Sequence, residues 1–157
     1  MNSVKQAEST NVISSAANTL QAFRFTNAYL HFSQWTVAHS HITLLGAFGF
    51  LSAGLAYWIV PHLLKSKIYS FPLMVNSWWT AFVGFFFFFW AMVIAGFVAN
   101  ANWWAHINVV ETLPTLRIPF VIRAFSGGMV VVAAYMVAVN ILATFMIRGQ
   151  HPVPQED

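Results

Sequence analysis

The stretch HFSQWTVAHSHITLLGAFGF, residues 31–50, sets two histidines, His39 and His41, just inside a long apolar run. No charged residue interrupts the chain from Trp35 to Val60. At about 1.5 Å per residue, a helix over 35–60 is longer than a hydrocarbon core of about 30 Å. Ionisable side chains are costly in hydrocarbon, so each of these imidazoles needs a partner.

The rest of the chain fits a membrane setting. Of its 157 residues, 59% are hydrophobic and 7% charged, whereas a soluble domain carries about 25% charged residues. A water-facing surface cannot be built from that composition. Two further apolar runs follow, giving expected spans at 35–60, 73–99 and 119–147. The fold class expected is all-α: an integral membrane protein whose three transmembrane helices form part of a larger helical bundle. Too few short alternating segments exist for a barrel, and helices are then the only spanning form. Pro61 is expected to stop the first span and Pro119 to open the third, because proline breaks the helical ladder. Five successive phenylalanines, Phe85 to Phe89, cover every face of the second helix, so much of that surface must meet lipid or other helices. Trp103 and Trp104 sit where an interfacial aromatic belt would lie.

Residues 1–34 are expected to be a polar surface segment with a short amphipathic piece around 16–25, and residues 149–157 a short polar tail. The polar opening MNSVKQAEST reads as the beginning of a separately encoded subunit. The formal charge of +3 reflects scarce acids rather than a basic stripe, so nucleic acid is not an expected partner. The absence of cysteine excludes disulfides, thiolate metal sites and cysteine-linked haem. Lys65, Lys67 and Arg148 flank the spans on one side, and Lys5, Arg24, Arg117 and Arg123 on the other. The Lys65/Lys67 side is taken as cytoplasmic, with the N-terminus outside.

Successive helical residues are about 100° apart, so His39 and His41 project about 200° apart. A single metal ion held from one helix needs a spacing of three or four. Two partners, one on each flank, satisfy this geometry, and haem suits the depth: each neutral imidazole ligates one iron. The pair lies roughly 6–9 Å below the first helical turn, within reach of the interface for the haem carboxylates. A single histidine in a span is otherwise an interhelical hydrogen-bond partner or a pore residue. Gly46, Gly49, Gly54, Gly127 and Gly128 permit close approach of a helix or a flat ligand.

The stretch HFSQWTVAHSH…GAFGFLSAGLAYWIVPHL resembles the histidine-bearing helix of haem-copper oxidase catalytic subunits, in the manner of cbb-type cytochrome c oxidases and the related nitric oxide reductases. ETLPTLRIPFVIRAFSGGMVVVAAYMVAVNI resembles the last loop and helix of the same subunit. The resemblance covers residues 27–147. It implies that His39 ligates a high-spin haem and His41 a low-spin haem b. It further implies that His31, Trp35 and Arg123 lie near haem carboxylates; an interfacial snorkelling arginine is the plainer reading of Arg123. Arg117 and Glu111 are equally explained by a surface ion pair.

A complete subunit of that family has many more spans, and the copper-binding histidines and the second ligand of the low-spin haem lie on them. His62, His106 and His151 fall at or beyond the span ends and read as solvated or interfacial. Copper is therefore expected on a partner chain. The expected partners are membrane lipid, the N-terminal portion of a split oxidase subunit, and cytochrome c-type electron-donor subunits. The expected function is oxygen reduction as part of a respiratory complex in a bacterial or archaeal plasma membrane. Nitric oxide reduction is the alternative within the superfamily. A haem-free structural or assembly subunit is the alternative outside it. Asn140, Tyr135, Asn76, Ser77 and Thr80 either line a wet path or bond neighbouring helices, the second being favoured.

Overall fold

The structure is a computed structural model and describes residues 2–31 and 33–147. Arg148, His151 and the tail 149–157 lie outside the described residues. Helix α1 spans Asn2–Ala22, α2 Arg24–Leu30, α3 Gln34–His41, α4 Phe50–Leu64, α5 Phe71–Trp104 and α6 Val109–Met146. Residues Ile42–Gly49 form π-helical turns that join α3 to α4 without a break. Three helical stretches are long and apolar enough to cross a membrane: Gln34–Leu64, Phe71–Trp104 and Val109–Met146.

Local chemistry sets the boundaries. Ser33 caps α3 by accepting from the Trp35 N–H at 3.2 Å, and Ser70 caps α5 by accepting from the Leu73 N–H at 3.3 Å. Two expectations about proline need correction. Pro61 lies inside α4, which runs on to Leu64 and ends where Lys65 turns left-handed at φ 49°. In the last turn a missing N–H costs one bond, and the Lys65 and Ser66 N–H groups still close onto the His62 and Pro61 carbonyls. Pro119 does not open the third helix. Asn108 caps it eleven residues earlier, accepting from the Val110 N–H. Glu111 in the first turn complements the positive end of the helix dipole, and the ladder absorbs both Pro114 and Pro119. The breaks between spans therefore shrink to 65–70 and 105–108.

The N-terminal surface segment is helical, with most of its described side chains exposed. It packs along the π-helical turns of the first span and onto α4. Helix α1 ends at Ala22, and a break at Phe23 separates it from α2, so no single amphipathic piece runs over 16–25. Lys5 consequently lies alongside the first span and not on the outer flank.

Helix α5 is the centre of the bundle. Of its most apolar stretch 39% is buried, against 22% for the first span and 17% for α6. One core joins Ala38 of α3, Phe88, Met92, Val93 and Ala95 of α5, and Leu116 of α6. A second joins Ile42, Phe50 and Phe85. Gly84 lets α6 approach so closely that an added Cβ would stand 2.9 Å from the Ser126 carbonyl oxygen.

At the end of the bundle near Lys65 the helices are tied by hydrogen bonds. Asn140 of α6 is fully buried. Its Oδ1 accepts from the Ser70 N–H at 3.1 Å, while its Nδ2 donates to the Ser70 carbonyl at 2.9 Å and to the Tyr57 hydroxyl at 3.4 Å. Thr144, one turn on, accepts from the Tyr69 N–H at 3.1 Å and donates to the Asn140 carbonyl at 2.7 Å. Asn140 thus bonds neighbouring elements, whereas Tyr135 is exposed.

Candidate haem-facing site

Helix α3 presents its histidines on either side of a buried stripe. Ala38 and Ile42 face α5 and are 1% and 3% exposed. At about 100° per residue, His39 and His41 stand on opposite flanks of that stripe. The helix starts at the Ser33 cap, and Trp35 seats it against α5: its ring meets Phe97 edge-on at 5.5 Å. That seat exists because residue 96 is glycine. An added Cβ there would lie 2.5 Å from the Trp35 backbone nitrogen.

The two rings are held differently. His41 Nδ1 lies 2.8 Å from the Val37 carbonyl oxygen. A carbonyl can only accept, so Nδ1 carries the proton and donates, leaving the Nε2 lone pair for a ligand. This backbone orientation of the second ring nitrogen is the usual support for a metal-ligating histidine. The His41 ring also rests 5.0 Å from the Phe88 ring. His39 is half-buried, and its Nδ1 is buried without a hydrogen-bond partner.

Three more unpartnered polar atoms lie near the start of α3 and the end of α5: Gln34 Oε1, Trp35 Nε1 and Asn100 Nδ2. Each unmade hydrogen bond of this kind costs about 1–3 kcal/mol. Gln34 and Asn100 had no signal in the sequence beyond being polar beside apolar runs. A similar atom, Trp78 Nε1, lies on the other half of α5.

Arg123 is half-buried on α6, on the face that carries Leu116, Pro119 and Ser126, all buried. One turn further, Gly127 faces Phe88, with an added Cβ 3.8 Å from that ring. Phe88 also meets the His41 ring, so Phe88 lies between the α6 face one turn beyond Arg123 and His41. Trp35, one turn before His39 on α3, belongs to the His39 flank. His31 is exposed in the turn between α2 and α3, its N–H donating to the Asn27 carbonyl at 2.8 Å. His62 is exposed and stacks on Trp58 at 5.5 Å. His106 is exposed, with a left-handed φ of 58°. Arg117 lines a shallow concavity with Leu113, Pro114 and Phe120.

Among the described residues no three ligating side chains converge on one point. The donor set is one imidazole per flank, which fits a group whose own nitrogens supply most of the positions around a metal. π-helical turns, common near functional sites, follow directly after His41.

The sequence profile of the family described as "Cytochrome C and Quinol oxidase polypeptide I" matches residues 8–129. The chain is 28% identical over 136 residues to the cytochrome c oxidase subunit 1 homolog, bacteroid, of Bradyrhizobium diazoefficiens, covering 82% of this chain and 25% of that protein. It is 27% identical over 130 residues to the Cbb3-type cytochrome c oxidase subunit CcoN1 of Stutzerimonas stutzeri, covering 77% and 27%. It is 25% identical over 133 residues to cytochrome c oxidase subunit 1 of Rhodobacter capsulatus, covering 80% and 25%. The chain spans about a quarter of the length of the curated relatives it matches.

Proposed function

The chain belongs to the cytochrome c and quinol oxidase polypeptide I family, and from that premise we propose that it is the haem-ligating C-terminal portion of a split cbb-type-like terminal oxidase subunit. In this reading His41 holds the low-spin haem b and His39 the high-spin haem. The observation that carries it is the His41 Nδ1–H bond to the Val37 carbonyl, which fixes the ring and leaves Nε2 for a ligand. Trp35 and His31 at the start of α3, and Arg123 on α6, would hold haem carboxylates. A guanidinium makes bidentate, charge-assisted bonds to such groups. The haems, when bound, supply one-electron transfer and the surface on which oxygen is reduced to water.

What the chain's own residues do is positional. One short helix carries both ligands two residues apart, so the electron path between the two haem sites is compact. The Phe88 ring, tilted against that of His41 at 5.0 Å, packs beside the proposed ligand. The remaining haem ligand, the copper site and the proton path belong to the portion that supplies the other spans. Cytochrome c-type subunits would deliver electrons. The complex would lie in a bacterial plasma membrane, with the Lys65/Lys67 end cytoplasmic; this orientation is supported by those two lysines flanking the spans.

The test is spectroscopic, on the purified complex. His41→Ala should remove the low-spin haem b signal while His39→Ala leaves it in place. Unchanged spectra in both variants would refute the assignment. Nitric oxide reduction is the second reading, because the same histidine helix serves both chemistries in the superfamily. Metal analysis separates them: copper in the complex supports oxygen reduction, and a second non-haem iron supports nitric oxide reduction.

A further inference from the structure

Gln34, Val37 and His41 form one line down α3. Seven residues separate Gln34 from His41, which sets them about 20° apart in projection and about 10 Å apart in height. Val37 stands between them, and its carbonyl holds His41 Nδ1 at 2.8 Å. The line therefore runs from a ligating ring, past an apolar side chain, to an amide at the first residue of the helix. Gln34 is half-buried, and its Oε1 is buried without a hydrogen-bond partner.

The neighbouring wall of α5 gives that amide nothing to bond. Phe88 lies at His41 and Gly96 at Trp35, so Met92 and Ala95 accompany the stretch between. Both are apolar and fully buried. Leu116 and Phe120 of α6 pack against the same core. An amide carries a donor end and an acceptor end, and half a turn of its last torsion exchanges them. The buried position can therefore serve either kind of partner.

We propose that Gln34 is a positioning residue for the haem that His41 ligates, its amide donating to a carboxylate at the edge of that haem. The inference rests on the oxidase-portion reading, since that reading supplies the haem. A haem is a flat apolar plate with carboxyl groups along one edge, and His41, Val37 and Gln34 present ligand, apolar contact and hydrogen-bonding group in that order. One axial bond to the iron leaves the plate free to turn about that bond. A second anchor away from the axis removes this freedom, and an amide N–H on a carboxylate is a charge-assisted bond. Trp35, near the same height on the His39 flank, carries its own unpartnered N–H. Each flank of α3 thus pairs one imidazole with one hydrogen-bonding side chain nearer the start of the helix.

The test is a redox titration of the purified complex that follows each haem by its own absorption. Gln34→Leu should keep both haems and lower the midpoint potential of the low-spin haem. A carboxylate that loses its donor leaves more negative charge near the iron, which favours the ferric state. Gln34→Glu should lower the potential further, because it sets a second anion beside the first. Gln34→Asn keeps the amide on a shorter stem and should fall between wild type and Gln34→Leu. The high-spin potential should hold in all three. Both potentials should hold in Ser40→Ala, a control on the exposed far side of α3. An unmoved low-spin potential in the Leu and Glu variants, equal shifts of both haems, a shift confined to the high-spin haem, or the same shift in Ser40→Ala would each overturn the proposal. His41→Ala separates this claim from the one beneath it. If His41→Ala spares the low-spin signal, the ligand reading fails and this proposal falls with it. If it removes that signal while the Gln34 variants titrate as wild type, the Gln34 assignment alone fails.

Discussion

The two ends of the bundle treat their buried amides differently. Near Lys65, Asn140 and Thr144 have their side-chain groups bonded, and together they bind the Tyr69 and Ser70 backbone. At the start of α3 and the end of α5, Gln34, Trp35, His39 and Asn100 each keep a buried polar atom without a partner. Polar residues are equally rare at both ends, so composition does not distinguish them. At the first end the Asn140 amide is fully satisfied within this chain, although Ser66 Oγ at that end is buried without a partner; at the second the Asn100 amide donor and three further polar atoms have none.

The largest blow to this contrast would come at residue 96. Gly96→Val should force α3 off α5, because even a Cβ meets the Trp35 backbone. Backbone cannot step aside as a flexible side chain can, so the cost should exceed the 1–3 kcal/mol typical of about one overpacked methylene. The yield of assembled complex and its haem content should both fall steeply; retention of either at wild-type level would remove the close seat from the account.

A matched pair of substitutions sharpens the comparison. Asn140→Leu strips the Ser70 N–H and carbonyl of their partners and should cost about 1–3 kcal/mol, read as an earlier midpoint in a mixed-micelle denaturation, with the haem spectrum unchanged. Asn100→Leu makes the same chemical change where the amide donor has no partner. It should be neutral or mildly stabilising, within about 1 kcal/mol. Equal losses at the two positions would show that the ends do not differ.

The smallest expected effect on stability is Trp35→Phe. The edge-on contact with Phe97 survives and only the unpartnered indole N–H is lost, so stability should hold within about 0.5 kcal/mol. The midpoint potential of a haem should shift if Trp35 donates to its carboxylate. An unmoved potential would take Trp35 out of the proposed site.

Much of the architecture was legible in the sequence because lipid imposes a blunt rule. Uncharged apolar runs of sufficient length identify three helices before any packing is known. The histidine pair was legible too, since its i, i+2 spacing has only one projection on a helix. Boundaries were misread where proline was weighed alone. Asn108, with Glu111 in the first turn, starts α6 well before Pro119, and one lost bond near the end of α4 does not outweigh the turns on either side of Pro61. Helix α1 carried no apolar stripe to announce itself; it is held by contact with the first span. Of the glycines, Gly96 makes the tightest approach but resembles the others in sequence, and Asn100 and Gln34 gain meaning only from what surrounds them.

The amide and hydroxyl clasp of Asn140 and Thr144 has a bearing on assembly. Helices α5 and α6 share a turn at 105–108 and are fastened again at their far ends, so this hairpin is closed by its own residues. The first span joins that closure through the Tyr57 hydroxyl, which accepts from Asn140 Nδ2. The last two helices can therefore close on each other without help from the first span, whose own seat on α5 is made at Gly96.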